Sequence, residues 1–338
     1  MAELLSSHTT LRVGGPAAEF VEAADDRALV AAVAEADRAG VPVLVLGGGS
    51  NLLVCDEGFD GRVVAVRTSG VSVDADDCGG ALVRVAAGEP WDPFVARAVA
   101  SGWVGVEALS GIPGAVGATP IQNVGAYGQE VAQTLASVRC WDRRAGVQRT
   151  FAAADCGFGY RTSRFKQEPG RFLVLEVTFS LRLGDLSAPV AYAELARRLD
   201  VALGERAPLA AVREAVLGLR AGKGMVLDDA DRDTWSAGSF FTNPLLDPAD
   251  VPEGAPAWPQ PDGRVKTSAA WLIEHAGFTR GHGDGPAGLS TKHTLALTNR
   301  GGATAADLLT LAREVRDGVR GRFGVELVNE PVLVGCGL

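Results

Sequence analysis

The chain has 338 residues, of which 47% are hydrophobic and 22% charged, and a formal net charge of −9. That length exceeds one ordinary core and predicts two or three domains, and the composition is that of a globular chain, not a disordered one. The acidic balance argues against a dedicated nucleic-acid binder, while leaving room for a locally basic pocket.

Only four of the 32 basic residues are lysines: Lys166, Lys223, Lys266 and Lys292. Only three tyrosines occur, in a sequence dominated by Ala, Gly, Val, Leu and Arg. Such rare residue types are candidates for positions where their own chemistry is needed. The first 15 residues lack a basic segment and a long apolar run, so no signal peptide is expected. No stretch approaches the roughly 18 apolar residues of a membrane span. The five cysteines (Cys55, Cys78, Cys140, Cys156, Cys336) form no CxxC and no Cys/His cluster. Neither a zinc site nor a disulfide framework is expected, and the compartment reads as reducing and cytoplasmic.

In chain order, residues 25–40 carry apolar residues at helical spacing, with an acidic start and a glycine stop. A buried strand follows at 41–46 and a second at 62–66, giving a small α/β unit. From 71 to 183 the signals are mostly short strands, at 81–86, 136–141, 146–151 and 172–183, with one helix at 93–101. This predicts an α+β domain with an antiparallel sheet. A polar break at 184–189 ends it. Helices are expected at 208–220, 268–276 and 304–322, a loop at 247–263, and a closing strand at 325–333.

Two glycine-rich segments stand out. Gly47-Gly48-Gly49-Ser50-Asn51 follows a strand, and its backbone N–H groups can form a nest for an anion. It is not a dinucleotide fingerprint, because Leu52 stands where the third glycine belongs. A tight strand turn is the competing reading. The second segment, residues 108–128, holds five glycines and two prolines and has neither helical nor alternating period. A long segment of this kind inside a compact domain is usually functional.

Two glycine-rich loops about 60 residues apart resemble the FAD-binding domains of the p-cresol methylhydroxylase/vanillyl-alcohol oxidase type. A longer series of motifs is more specific. Arg12-Val13-Gly14-Gly15-Pro16-Ala17, Gly47-Gly48-Gly49-Ser50-Asn51, Gly111-Ile112-Pro113-Gly114, Pro120-Ile121-Gln122-Asn123-Val124-Gly125-Ala126-Tyr127-Gly128, Tyr160-Arg161-x-Ser163, Gly238-Ser239-Phe240-Phe241-x-Asn243-Pro244 and a late Glu330 occur in order. In this the chain resembles the UDP-N-acetylenolpyruvoylglucosamine reductase (MurB) family, from about residue 9 to 335.

The resemblance implies an α+β fold, with an α/β N-terminal unit. A two-part FAD-binding region would span residues 1–70, joined by 325–338, and residues 71–205. A substrate domain would span 206–324. It implies NADPH-dependent, FAD-mediated reduction of UDP-N-acetylglucosamine enolpyruvate to UDP-N-acetylmuramate in peptidoglycan precursor synthesis. A hydride goes to C3 of the enol ether, negative charge develops at C2 and on the carboxylate, and a proton goes to C2. Such a reaction needs an anchor for anions, enolate stabilisers and a general acid. By resemblance Ser239 is the proton donor, and Arg161 and Glu330 stabilise the enolate. An arginine keeps its charge in such a role. A glutamate beside the substrate carboxylate must be protonated or hydrogen-bonded.

The flavin falls to Gly47, Gly48, Gly49, Ser50, Asn51, Gly111, Pro113, Gly114, Gly117, Asn123, Gly125, Ala126, Tyr127 and Gly128. The substrate falls to Tyr160, Tyr192, Lys223, Asn243, Lys266 and His293, with Lys292 near the UDP. Tyr192, in Ala191-Tyr192-Ala193-Glu194-Leu195, looks like the branch whose tyrosine loop closes over the substrate diphosphate (type I). No histidine lies in either glycine-rich segment, so FAD is expected to be non-covalent. No metal, nucleic acid or membrane is expected as a partner, and the chain is expected to be a monomer. An FAD-dependent sugar or alcohol oxidase and a non-catalytic sugar-nucleotide module are the competing classes. The first should lack the Gly238-Ser239-Phe240-Phe241 block, and the second needs no flavin.

Overall fold

Residues 18–48 and 60–221 form one unit; residues up to 17, 49–59 and 222–338 form another. The computed structural model describes residues 2–76 and 80–338. Cys78 therefore lies outside the described residues, and the other four cysteines are free thiols. Burial pushes the Cys156 thiol up to about 11 and raises that of Cys140 as well. Among the described residues no His/Cys/Asp/Glu group is arranged to hold a metal, and no helix is long and apolar enough to cross a membrane.

In the 18–221 unit the first predicted helix forms as Asp26–Ala39. Leu29, Val33 and Ala36 line its buried face. The Asp25 side chain caps it by accepting from the Ala28 N–H at 2.8 Å, and Gly40 ends it with a left-handed φ of 67°. Beside it Val43–Leu46 runs parallel to Phe59–Val66, whose other neighbour is Ala17–Ala23. Sequence reasoning passed over that last strand. Glu19 and Glu22 break its apolar alternation, and in the fold these glutamates pair with Arg62 and Arg67.

The larger sheet has the order Val147–Ala152, Leu135–Asp142, Phe172–Leu183, Gly80–Ala86, Val71–Asp76, all antiparallel, with Trp103–Val104 added to the end of Phe172–Leu183. The long central strand shows why it forms. Leu173, Leu175, Val177, Phe179 and Leu181 alternate on one face and are all at most 2% exposed. The helix Trp91–Ala100 covers them, its Trp91 and Phe94 rings lying 5.9 and 5.2 Å from that of Phe179. Burying each of these rings stabilises the unit by roughly 2–3 kcal/mol.

The other unit is built on Ala305–Phe323. Leu308, Leu311, Ala312, Val315 and Val319 form its buried stripe, against Leu272 and Ile273 of Ala269–His275 and against Phe240 and Phe241. Thr304 and Asp307 form a capping box, and the Asp56 carboxylate accepts from the Ala305 and Ala306 N–H groups at 2.7 and 3.0 Å. A carboxylate there is favoured by the partial positive charge of the helix start.

The strand expected at 325–333 is only Val332–Val334, parallel to Leu52–Val54. Pro331 has no N–H to give to a ladder, so pairing begins where Val332 N–H donates to Asn51 O at 2.9 Å. The loop expected at 247–263 contains the strand Ala257–Pro259, paired with Val265–Thr267.

Candidate active site

Gly47 and Gly48 of the first glycine-rich segment meet the second segment within the unit of residues 18–48 and 60–221. A Cβ on Gly48 would lie 2.6 Å from Gly114 Cα, and one on Gly117 would lie 2.5 Å from Ala87 Cβ. Glycine is thus required at 48 and 117 by the close approach of neighbouring chain. The second loop is pinned by Trp91 N–H to Gly114 O, Val116 N–H to Glu89 O and Gly117 N–H to Ala87 O, at 2.8 to 2.9 Å. Among the described residues, no protein group accepts from the N–H groups of Gly48, Gly114 or Ala115. Clustered donors of this kind in glycine-rich backbone fit the diphosphate of FAD. Gly48→Ala is expected to destabilise the protein by about 1–3 kcal/mol, as overpacking does. A urea unfolding midpoint equal to wild type would show that the loops tolerate separation.

Asp92 supports the start of this loop. It accepts from the Gly111 N–H at 2.6 Å and forms a two-pronged pair with Arg213 at 2.7 and 2.9 Å. Burial favours the protonated carboxyl, but Arg213 and the Gly111 N–H outweigh burial and hold the carboxyl's pKa below its ordinary range.

Residues 121–130 hold the next cluster. Gly125-Ala126 pairs with Gln129-Glu130, leaving Tyr127 and Gly128 as the two turn residues. Both are left-handed, with φ of 49° and 85°, as a type I′ hairpin requires. The tip packs on the segment before Tyr192: a Cβ on Gly128 would lie 2.9 Å from Ala191 Cβ. Asn123 is also left-handed, at φ 48°. Its side chain donates to Glu130 (2.8 Å) and Gly159 O (3.2 Å) and accepts from the Ala132 N–H (3.1 Å). It is thus a clamp for the loop.

Arg161 sits in a tight turn closed by mutual hydrogen bonds of Gly159 and Thr162. Its φ is 50°, and its guanidinium donates to Gly125 O at 2.9 Å. Ser163 is fully buried; it donates to Ile121 O at 2.5 Å and caps the short helix Arg164–Gln167. Three hydrogen bonds, from Asn123, Arg161 and Ser163, therefore join the 121–128 and 159–163 segments. Of the five described non-glycine residues with positive φ, three are Asn123, Tyr127 and Arg161. Strain concentrated in this way is characteristic of functional sites.

Tyr192 is 42% exposed and stands at the N-terminus of the helix Ala193–Leu199. Its ring meets that of Tyr127 edge-on, with centroids 5.4 Å apart. Burial pushes the Tyr127 hydroxyl up to about 12, so it stays protonated at neutral pH.

In the other unit, three predicted residues from distant parts of the sequence share one stretch of backbone. Glu330 N–H donates to Phe240 O at 2.8 Å, and the Asn51 amide donates to Glu330 O at 3.3 Å. Phe240 and Phe241 are 1% exposed and anchor the strap, while Ser239 beside them is half-buried. Phe240 N–H is tied to Leu295 O at 2.8 Å, and Gly238 turns the chain with a φ of 71°.

The same unit holds the predicted substrate residues 223–293. Asn243 Oδ1 accepts from the Ala269 N–H at 3.0 Å, which fixes the amide orientation. Lys266 extends over the Trp258 ring at 5.9 Å. Ser290 Oγ accepts from the Lys292 and His293 N–H groups and shapes the turn that carries His293. Lys292 pairs with the Asp231 carboxylate. That hydrogen bond raises the lysine's affinity for its proton and lowers that of the aspartate. The charge of Lys292 is therefore already met inside the protein. The side chain of Lys292 packs beside Gly224, the neighbour of Lys223.

Glu107 and Asn299 escaped sequence reasoning. Asn299 is 2% exposed; it donates to Leu11 O and accepts from the Gly301 and Ala303 N–H groups. Glu107 is fully buried. Its signal was legible: it is the single charged residue between Arg97 and Glu130.

Residues 17–151 match the family model described as FAD binding domain, and residues 229–334 match that described as UDP-N-acetylenolpyruvoylglucosamine reductase, C-terminal domain. A UDP-N-acetylenolpyruvoylglucosamine reductase of Cutibacterium acnes is 62% identical over 335 residues, covering 98% of this chain and 89% of its own. The protein of that name from Thermobifida fusca is 59% identical over 347 residues, covering 99% and 97%. Among solved structures, UDP-N-acetylenolpyruvylglucosamine reductase (MurB) from Thermus caldophilus superposes with a TM-score of 0.69 at 28% identity, over 99% of this chain and 98% of that one.

Proposed function

Because the chain belongs to the UDP-N-acetylenolpyruvoylglucosamine reductase family, we propose that it reduces UDP-N-acetylglucosamine enolpyruvate to UDP-N-acetylmuramate, in the cytoplasm and as a monomer. It is an FAD-dependent oxidoreductase of peptidoglycan precursor synthesis. Bound FAD supplies the hydride for C3, replenished by NADPH.

The residues of the chain do the rest. On this reading the N–H groups of the two glycine loops hold the FAD diphosphate. Arg161 stabilises the enolate as charge develops, from a guanidinium already oriented by Gly125 O. Ser239 delivers its proton to C2, and Glu330 lies one backbone hydrogen bond from Phe240 to support the carboxylate region. Lys223 and Lys266 attract the phosphates, Asn243 and His293 bind polar groups of the sugar nucleotide, and Tyr160 and Tyr192 border it. Residues 1–70 with 325–338 and residues 71–205 carry the flavin, and residues 206–324 carry most of the substrate contacts.

The observation that carries this reading is the convergence of Asn51, Ser239-Phe240 and Glu330 on one hydrogen-bonded strap. The test is anaerobic: enzyme reduced by NADPH is mixed with the enolpyruvyl substrate. Reoxidation of the flavin in a single fast phase is expected. A flavin that stays reduced with the substrate present but is reoxidised on admitting oxygen would favour the oxidase class.

A further inference from the structure

Glu107 has no role in the chemistry above, yet it is the most heavily committed buried acid near the two tyrosines. Its side chain is fully enclosed. Oε2 accepts from the Gly105 N–H at 2.6 Å, and Oε1 accepts from Gln129 Nε2 at 2.9 Å and from the Ala188 N–H at 2.7 Å. Gln129 Oε1 in turn accepts from the Ala108 N–H at 2.8 Å. All three partners of Glu107 are N–H donors, so both of its carboxyl oxygens serve as acceptors, and its amide neighbour Gln129 is held at both its nitrogen and its oxygen.

The partners lie on the two segments that carry the tyrosines. Gln129 follows the Tyr127-Gly128 turn directly, paired across it with Ala126. Ala188 stands four residues before Tyr192. The two segments touch again where Gly128 meets Ala191 and where the rings of Tyr127 and Tyr192 meet edge-on. Glu107, Tyr127, Gln129 and Ala188 line one small internal gap.

We propose that Glu107 is a positioning residue for the substrate-binding tyrosine: its carboxylate fixes the register between the Tyr127 hairpin and the Tyr192 segment. The inference rests on the reading that Tyr192 borders the substrate diphosphate. Glutamine at 107 has nearly the same shape but replaces one acceptor by a donor. Whichever position the NH₂ group takes, it faces the N–H of Gly105, or those of Gln129 and Ala188. One attachment must open.

In the holoenzyme, Glu107→Gln is expected to raise the KM for the enolpyruvyl substrate about tenfold or more, with kcat within about threefold and bound flavin unchanged. In a Tyr192→Phe background the same change should add less than about twofold, because both act through one contact. Gln129→Glu provides an independent readout. It sets a second carboxyl against Glu107, so the two share a proton and their repulsion grows as that proton leaves. Its KM should therefore rise with pH relative to wild type. A wild-type KM for Glu107→Gln, or effects that multiply in the double variant, would overturn the proposal. So would a parallel loss of kcat and flavin, or a wild-type pH profile for Gln129→Glu. If Tyr192→Phe alone leaves KM unchanged, it is the role of Tyr192 that fails.

Discussion

Replacing Ser239 by alanine is expected to slow turnover of the enolpyruvyl substrate by about 10²- to 10⁴-fold, the usual range for loss of a general acid. Flavin reduction by NADPH should stay near wild type. The fold should not suffer, because the strap is held by its backbone and by Phe240 and Phe241, not by the serine side chain. Phe240 N–H and O are both engaged, to Leu295 O and from Glu330 N–H. Among the described residues no group donates to or accepts from the Ser239 hydroxyl, although the position is half-buried. Removing it therefore leaves no orphaned partner. Stopped-flow measurement of the two half-reactions separates the outcomes. Equal slowing of both would exclude Ser239 as the acid and point to damaged flavin binding.

Arg161→Lys is expected to lower kcat by about 10²- to 10³-fold, the magnitude typical of removing one preorganised electrostatic contact. The charge remains in this variant, so the loss reports geometry. The guanidinium of Arg161 is oriented by Gly125 O, and its backbone is held left-handed by the 159–162 turn and by Lys166, whose ammonium donates to Arg161 O at 3.1 Å. A lysine has no planar fork to present both to Gly125 O and to a developing enolate. Steady-state kcat with saturating substrate checks this. A lysine variant within threefold of wild type would mean that charge alone suffices.

Much of the fold is legible in the sequence because burial there is periodic. The central strand alternates from Leu173 to Leu181, and Ala305–Phe323 repeats its apolar residues at helical spacing. The candidate site is legible as motifs for a different reason: glycine, proline, asparagine and tyrosine cluster where backbone must take uncommon angles. What the motifs conceal is the division of labour within them. Gly48 and Gly117 are glycines because neighbouring chain presses against them. Asn123 spends its amide on the loop, and Ser163 spends its hydroxyl on Ile121 and the helix start. The Tyr127-Gly128 hairpin lacks the Asn-Gly or Asp-Gly that marks such turns, so only the backbone reveals it. Ala17–Ala23 is hidden because its glutamates answer to arginines on other segments, a relation no local window contains.

The parallel pairing of Leu52–Val54 with Val332–Val334 sets an order of events during synthesis. Ribosomes add roughly 5–20 residues per second, so the partner of Leu52–Val54 is made on the order of 15–55 s after it. The unit of residues 18–48 and 60–221 has all of its segments available well before that. For the interval, a finished unit flanks an apolar strand that still lacks its neighbour. Residues 332–334 thus supply the neighbour that residues 52–54 await, and a chain stopped short of Val332 would keep that strand unpaired.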